Sequence, residues 1–374
     1  MTAPSIPFND FQREPEALIQ AQLRASETVL RSGWWVLGRQ VQAFEQALAE
    51  HCGTEAAVGV ANGLDAIEIG LRALGIGPGH EVITTPLTAY ATTLAIQRCG
   101  AIPVFADIDP ATACLDPASV ARCIGPLSRA VVVVHLYGRA ADLDGLSSLC
   151  SSHGLALVED CAQAHGAHHR GRPVGSLGAF GAWSFYPTKN LGAIGDAGAL
   201  TSKDPDLITA ARQLRNYGQS DRYHHERAGM NSRLDELQAA ILLERLPYLQ
   251  AWTERRRAIA QRYWSEIRHS SLDALATPQD PASHVHHLFV LRSVARDEIR
   301  LRLQDVGIAT LIHYPLLSTQ QAALGEHRAD PLGLAAAQHL ASRCFSLPIH
   351  PFLSEEEVSR VIEACNQLPE DLPR

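Results

Sequence analysis

One aspartate and one lysine stand out as residues that could do chemistry together. Asp160 ends the apolar stretch LALVED (155–160), and Lys189 is the only charged residue between Pro173 and Gly195. A lysine in apolar, glycine-rich surroundings is expected to have a lowered pKa, which makes its amine a better nucleophile. The pair suits pyridoxal phosphate, with the lysine forming a Schiff base and the aspartate keeping the pyridine nitrogen protonated. The alternative is a structural ion pair.

Two further features could hold a phosphate group. VGVANGLDAIEIGL is typical of a strand, a glycine turn and a helix, so the N–H groups of Gly63 and Leu64 could face an anion. Ser184, five residues before Lys189, could add a hydroxyl. The glycines of GIGPG (75–79) instead lie between a predicted helix and the next strand, whereas a dinucleotide-binding fingerprint follows a strand. We predict a simple turn there.

From about residue 55 to residue 202, short apolar runs alternate with helical patterns. Continuous β-rich runs of this kind are typical of strands buried on both faces of a parallel sheet. An α/β sheet would place Asp160 at the carboxyl end of a strand, where ligands bind in such folds. The predicted strands are 56–60, 81–85, 102–108, 130–138, 155–160, 182–187 and 197–202.

The chain becomes mainly helical after residue 205. Helical spacing continues from 235 to 267, with a kink expected at Pro247. A smaller α+β pattern follows, and its closing helix begins at Ser354, which forms a capping box with Glu357. We therefore predict a large cofactor-binding domain (1–250) and a small C-terminal domain (251–374).

Composition excludes several classes of protein. The 374 residues carry a formal net charge of −8, which disfavours nucleic-acid binding. The apolar runs are too short to span a membrane, and MTAPSIPFND lacks the features of a secretory signal. Eight cysteines without a C-x-x-C pair predict reduced thiols in the cytoplasm. The histidines show no metal-ligand spacing, so no metal is expected.

Several ordered motifs together resemble one family: VHLYG, VEDCAQAHGA, GRPVGSLG, SFYPTKNLGAIGDAGA, LRNYGQ and NSRLDELQAA. The chain is similar, from about residue 45 to 350, to the DegT/DnrJ/EryC1/StrS sugar aminotransferases, which depend on pyridoxal phosphate. The resemblance implies an α/β fold of type I, like aspartate aminotransferase. In such a fold, the large domain would have a mostly parallel, mixed sheet with helices on both faces, and a smaller α+β C-terminal domain would follow.

The resemblance also implies roles for the residues that would bind the cofactor. Lys189 would form the Schiff base and shuttle the proton, and Asp160 would pair with the pyridine nitrogen. Gln163 would contact the ring 3-hydroxyl. The phosphate would be bound by Ser184, by the Gly63 and Leu64 backbone, and by Asn231 from the other subunit of a homodimer with shared active sites.

Other positions are implied to face the substrate. The predicted substrate-binding residues are His165, Tyr217, Arg233, His313 and Tyr314. The chain departs from the family in three places, one of which is STQQAAL (318–324) after His313 and Tyr314, where the family more usually has a histidine. Asn62-Gly63-Leu64 replaces a frequent Ser-Gly-Thr, and Ala89, beside Tyr90, replaces an aromatic residue that stacks on the cofactor.

The function implied by the resemblance is transfer of an amino group. The donor would be L-glutamate, leaving 2-oxoglutarate, and the acceptor a keto group of a nucleotide-linked deoxysugar, for antibiotic or polysaccharide biosynthesis. YHHERAGMNSRLDE is more similar to the 3-amino relatives, which favours a 3-keto sugar over a 4-keto sugar. A dehydratase or a regulatory homologue are alternatives, although dehydratase relatives carry histidine at the position of Lys189.

Overall fold

The computed structural model describes residues 4–373 of the chain. Strands and helices alternate through the first two hundred residues, and helices predominate afterwards. The strands are β1 Ala56–Val60, β2 Glu81–Thr84, β3 Ile102–Phe105, β4 Ser128–Val134, β5 Ala156–Asp160, β6 His168–His169, β7 Arg172–Pro173, β8 Phe180–Ser184, β9 Gly198–Ser202, β10 Gln219–Asp221, β11 His224–His225, β12 Asp273–Ala274, β13 Phe289–Arg292, β14 Arg328–Ala329 and β15 Cys344–Leu347.

The helices fill the connections between these strands and form much of the C-terminal third. Pro247 lies in a short 3-10 turn that separates α8 from α9, which confirms the predicted break. Ser354 and Glu357 form the predicted capping box. The helices are α1 Glu16–Ser32, α2 Arg39–Cys52, α3 Gly63–Ala73, α4 Tyr90–Arg98, α5 Pro117–Cys123, α6 Leu143–His153, α7 Pro205–Leu214, α8 Glu236–Arg245, α9 Leu249–Glu266, α10 Arg296–Asp305, α11 Ala335–Arg343 and α12 Glu355–Asn366.

A mixed, mostly parallel sheet of eight strands forms the centre of the molecule. The strand order is β1-β9-β8-β5-β4-β2-β3-β14. The six strands from β8 to β14 pair in parallel, while β9 runs antiparallel to both β1 and β8. The predicted α/β class and each of the seven predicted strands are confirmed. The run 130–138 ends as a strand at Val134, because Leu136–Gly138 forms a 3-10 turn.

Helices cover both faces of this sheet. Val131 and Val133 of β4 pack into one buried cluster, and Val132 packs into another on the opposite face. The first cluster includes side chains from α2, α6 and α8, and the second includes side chains from α3, α4 and α7. The alternation along β4 is expected, because successive side chains of a strand point to opposite faces.

A separate core lies in the C-terminal part. The antiparallel sheet β12-β13-β15 packs with α9, α10 and α12 around residues such as Phe289 and Phe345. Ile6 joins this core, and its N–H donates to the carbonyl oxygen of Gly307 at 2.7 Å. Strand β14, by contrast, extends the large sheet. The boundary at residue 250 stays a prediction. Ile6, from the N-terminal range, packs in the C-terminal core, and β14, from the C-terminal range, joins the large sheet.

Within residues 4–373, no helix is both long enough and apolar enough to cross a bilayer.

Candidate active site

Asp160 lies at the carboxyl end of β5, in the middle of the large sheet. Its side chain is buried, at 5% exposure. The Oδ2 atom accepts a hydrogen bond from the hydroxyl of Thr92 at 2.8 Å, and Oδ1 accepts one from the N–H of Ala162 at 3.1 Å. The carboxylate is therefore held by donors on two sides. This is the edge of a parallel sheet at which α/β proteins bind ligands.

Lys189 lies in the loop between β8 and β9, and the loop folds back over the same edge. Its backbone N–H donates to the carbonyl of Tyr186 at 2.8 Å. Burial lowers the pKa of the Lys189 amine to about 8, and the negative charge of Asp160 opposes part of that lowering. The amine is thus neutral far more often than an exposed lysine at the same pH, and it is close enough to feel the aspartate's charge.

Gln163 links the loop after β5 to the C-terminal part. Its Oε1 accepts a hydrogen bond from the N–H of Tyr137 at 2.6 Å, and its Nε2 donates to the hydroxyl of Tyr314 at 3.0 Å. Burial raises the pKa of Tyr314 to about 12. The phenol therefore stays protonated at neutral pH, and its own O–H remains able to donate to a further acceptor.

Three of the four residues predicted to bind phosphate, Gly63, Leu64 and Ser184, lie at the start of α3. The helix begins at Gly63, and Asn62 caps it by accepting a hydrogen bond from the Asp65 N–H at 2.8 Å. A Cβ built on Gly63 would lie only 2.7 Å from the Cβ of Ser184. The absence of a side chain lets the helix terminus approach the serine. The N–H groups of Gly63 and Leu64 are among those that a helix leaves without partners inside itself.

A second group of predicted residues lies around Asn216. Asn231 is exposed and forms a bridge with Asn216. The Arg233 guanidinium donates to Asn216 Oδ1 at 3.2 Å and lies 5.6 Å from the centre of the Tyr217 ring. Tyr217 is half exposed and has a positive φ of 60°. These residues contact each other and have no described contact with Lys189.

His165 and His313 occupy different environments. His165 is 1% exposed, and its ring lies 5.3 Å from Trp183 and 5.4 Å from Phe185. Burial lowers its pKa to about 3, and the positive charge of Lys189 adds to the lowering. The ring therefore lies in the core but near Lys189, and the substrate contact of His165 stays a prediction. His313 is only partly buried, and its Nδ1 lies 2.9 Å from the Ser346 hydroxyl.

One buried group was not expected from the sequence. His135, Glu159 and Cys161 bring potential metal-ligand atoms within 4.8 Å of one another. The oxygens of the Glu159 carboxylate, however, already have hydrogen-bond partners. It accepts hydrogen bonds from Gly175, Leu177 and Gly178 N–H groups at 2.7–2.8 Å, and lies 3.1 Å from His135 Nε2. These contacts indicate an anchor for the loop before β8 and leave little room for an ion.

Thr92 and Tyr137 are the contacts that sequence reasoning missed. Thr92 belongs to the stretch TAYAT, in which the resemblance concerns only Ala89 and Tyr90, at and beside the position of the stacking residue. Tyr90 starts α4, and its hydroxyl donates to Gln97 at 2.9 Å on the same helix. Helical periodicity places Thr92 on α4 but does not show which element its hydroxyl meets.

The donor set fits pyridoxal phosphate. The Lys189 amine, whose pKa is lowered, lies near the buried Asp160 carboxylate. Ser184 lies against Gly63, at a helix N-terminus that suits a phosphate group. Lys189 and Asp160 would meet the reacting part of the cofactor, while Ser184 and the start of α3 would hold its phosphate.

Comparison with known proteins supports this interpretation. The model of the DegT/DnrJ/EryC1/StrS aminotransferase family matches residues 17–366. A dTDP-3-amino-3,4,6-trideoxy-alpha-D-glucose transaminase of Streptomyces venezuelae is 44% identical over 98% of this chain and 97% of its own. A UDP-N-acetyl-3-dehydro-alpha-D-glucosamine 3-aminotransferase of Acidithiobacillus ferrooxidans is 41% identical over 96% of both chains.

A solved structure agrees with the fold over its whole length. S. venezuelae DesV, crystallised in complex with a ketimine intermediate, superposes with a TM-score of 0.94 at 42% identity. The match covers 99% of this chain and 100% of that one. The chain therefore belongs to the DegT/DnrJ/EryC1/StrS aminotransferase family.

Proposed function

We propose that this protein transfers the amino group of glutamate to the 3-keto group of a nucleotide-linked deoxysugar, using pyridoxal phosphate. The observation that carries the proposal is the pairing of Lys189, whose pKa is lowered to about 8, with the buried Asp160 at the edge of the sheet. The two relatives described above are both named for products or substrates modified at C3, which supports that position.

In the proposed reaction, each side chain of the site has its own role. Pyridoxal phosphate, when bound, supplies an electron sink for the charge that develops at the amino donor's Cα. Lys189 then takes and returns a proton, because its amine titrates close to neutral pH. Asp160 presents a fixed negative charge, and Tyr314 supports Gln163 through the 3.0 Å hydrogen bond. Ser184 and the start of α3 hold the phosphate in place.

Incubation of the purified enzyme with glutamate and a panel of 3-keto and 4-keto nucleotide sugars tests this function. We expect 2-oxoglutarate and an amino sugar of the corresponding mass to form from 3-keto substrates. Comparison of dTDP-linked and UDP-linked members identifies the nucleotide. Transfer only to 4-keto sugars would contradict the position. Loss of water without gain of nitrogen would indicate a dehydratase. If none of the sugars is converted, a regulatory role would be favoured.

We further propose a homodimer with shared active sites. Trp34, Trp35 and Val36 are consecutive apolar residues that are 64%, 59% and 42% exposed in the single chain. Val36 forms a bridge with Asp235, so this apolar surface adjoins the segment that carries Asn231. Exposed apolar patches of this kind often mark interfaces. A second copy packed here would bring Asn231 towards its neighbour's phosphate site.

Subunit mixing tests whether the sites are shared. Lys189→Ala and Asn231→Ala should each be impaired alone, yet recover activity when unfolded or dissociated chains are mixed and re-paired. In a mixed dimer one site receives both lesions and the other receives neither. Random pairing makes about half of the dimers mixed, so roughly a quarter of wild-type activity should return in a two-fold symmetric assembly.

Two controls make the mixing experiment decisive. Asn231→Ala must be weak when unmixed, and mass spectrometry must verify that the subunits have exchanged. If exchange is complete and activity stays at the mean of the parents, Asn231 does not serve a neighbouring subunit.

We also propose that the enzyme works in the cytoplasm. All eight cysteines are free and buried, in agreement with a chain that folds under reducing conditions.

A further inference from the structure

Three threonine hydroxyls lie buried at the start of α4, next to Asp160. Thr88, Thr92 and Thr93 are at most 5% exposed. Thr92 Oγ1 donates to Asp160 Oδ2 at 2.8 Å, and Thr88 Oγ1 lies 3.3 Å from Thr92 Oγ1. Thr93 turns to another partner, Ser318 Oγ, at 2.9 Å. Two adjacent threonines on one helix thus serve different neighbours.

The direction of the hydrogen bonds follows from the number of protons available. An ionised carboxylate accepts only, so Thr92 must give its single hydroxyl proton to Asp160. Thr88 must then be the donor to Thr92. The chain of donors runs from Thr88 through Thr92 to the carboxylate, and it fixes the orientation of the Thr92 hydroxyl.

This chain of donors determines the plane of the Asp160 carboxyl group. The terminal torsion of aspartate is soft, so its hydrogen-bond partners select its angle. Ala162 N–H holds Oδ1, and Thr92 holds Oδ2. Without Thr92 the carboxylate could turn about its remaining bond. A charge-assisted bond of this kind is roughly twice as strong as a neutral one.

We infer that Thr92 is a positioning residue for Asp160, with Thr88 behind it, and that it keeps the carboxylate aimed at the pyridine nitrogen of the cofactor. The inference rests on the role proposed above for Asp160. Thr92 itself need not touch the substrate or the cofactor.

The test uses pyridoxal phosphate labelled at the ring nitrogen with an NMR-active isotope. The holoenzyme is prepared with this cofactor as wild type and as Thr92→Val, Thr92→Ser, Thr88→Val, Thr93→Val and Asp160→Asn. The chemical shift of the ring nitrogen, followed against pH, reports its protonation directly. Thermal melting verifies that each variant is folded.

We expect Thr92→Val to lose the ring proton at lower pH than wild type, and kcat to fall roughly tenfold with little change in KM, as expected for loss of one hydrogen bond to a charged group. Thr92→Ser should restore both. Thr88→Val should shift the titration in the same direction by less. Thr93→Val is the matched control, because it loses one buried hydroxyl on the same turn and should leave the ring signal unchanged.

The outcomes separate this inference from the proposed function. If Asp160→Asn shifts the titration and Thr92→Val does not, the positioning role is wrong while the aspartate's role stands. If Asp160→Asn leaves the signal unchanged, the role of Asp160 is wrong as well. Should Thr92→Val fail to fold, Thr88→Val decides: a shift supports the inference, and a wild-type titration overturns it.

Discussion

Lys189→Ala is expected to remove transamination almost entirely. In the proposed function Lys189 both binds the cofactor covalently and moves the proton, and acid–base catalysis by a positioned side chain alone contributes about 10²- to 10⁴-fold. We therefore expect kcat to fall by at least about 10⁴-fold. A steady-state assay with glutamate as amino donor measures the loss of kcat. Added primary amines should restore part of the proton transfer, because a free amine can substitute for the missing side chain.

The sequence offers a matched control, since the chain has only two lysines. Lys203 is exposed, after the end of β9, and Lys203→Ala should keep full activity. Borohydride reduction of the wild-type holoenzyme should fix the cofactor to the peptide that contains Lys189. An adduct on Lys203 would overturn the assignment of the nucleophile.

The lowered pKa of Lys189 can be tested by chemical labelling. Burial lowers the Lys189 pKa to about 8, so in cofactor-free enzyme its labelling by an amine-directed reagent should increase as the pH rises through 8. An ordinary exposed lysine has a pKa of about 10.4, so labelling of Lys189 that increased only near that pH would contradict the lowered pKa.

Asp160→Asn is expected to have the second largest effect. Asparagine has nearly the same shape but no charge, so it cannot stabilise a protonated pyridine nitrogen. A preorganised electrostatic partner is worth about a hundred- to a thousandfold in kcat. We expect a loss of that order with cofactor still bound, measured by kcat and by the dissociation constant for pyridoxal phosphate. Near-normal turnover would mean that Asp160 is only structural.

A second buried carboxylate controls for destabilisation. Asp330 is 4% exposed, and it accepts hydrogen bonds from Arg122 Nε at 3.0 Å and Leu332 N–H at 2.9 Å. It lies at the outer edge of the large sheet, directly after β14. Asp330→Asn should lower the melting temperature and leave kcat unchanged. A comparable fall of kcat in both variants would attribute the effect of Asp160→Asn to stability.

The sequence by itself determined the class of fold and the principal chemistry. Continuous apolar runs identified the seven strands, because a strand buried on both faces needs apolar residues on both. A lone lysine in a long uncharged stretch, and an aspartate at the end of a strand, pointed to the nucleophile and its partner. These are local signals, in which residue type and spacing over a few positions carry the information.

The tertiary structure decided which side chains meet. Gln163 and Tyr314 are 151 positions apart, and Thr92 and Asp160 are 68 apart, yet each pair shares a hydrogen bond. His165 lies within two residues of Gln163 but packs in the core. Such contacts depend on the order of strands in the sheet and on the packing of helices across it. The period of a sequence specifies which face of an element is apolar, and it does not specify which distant element covers that face.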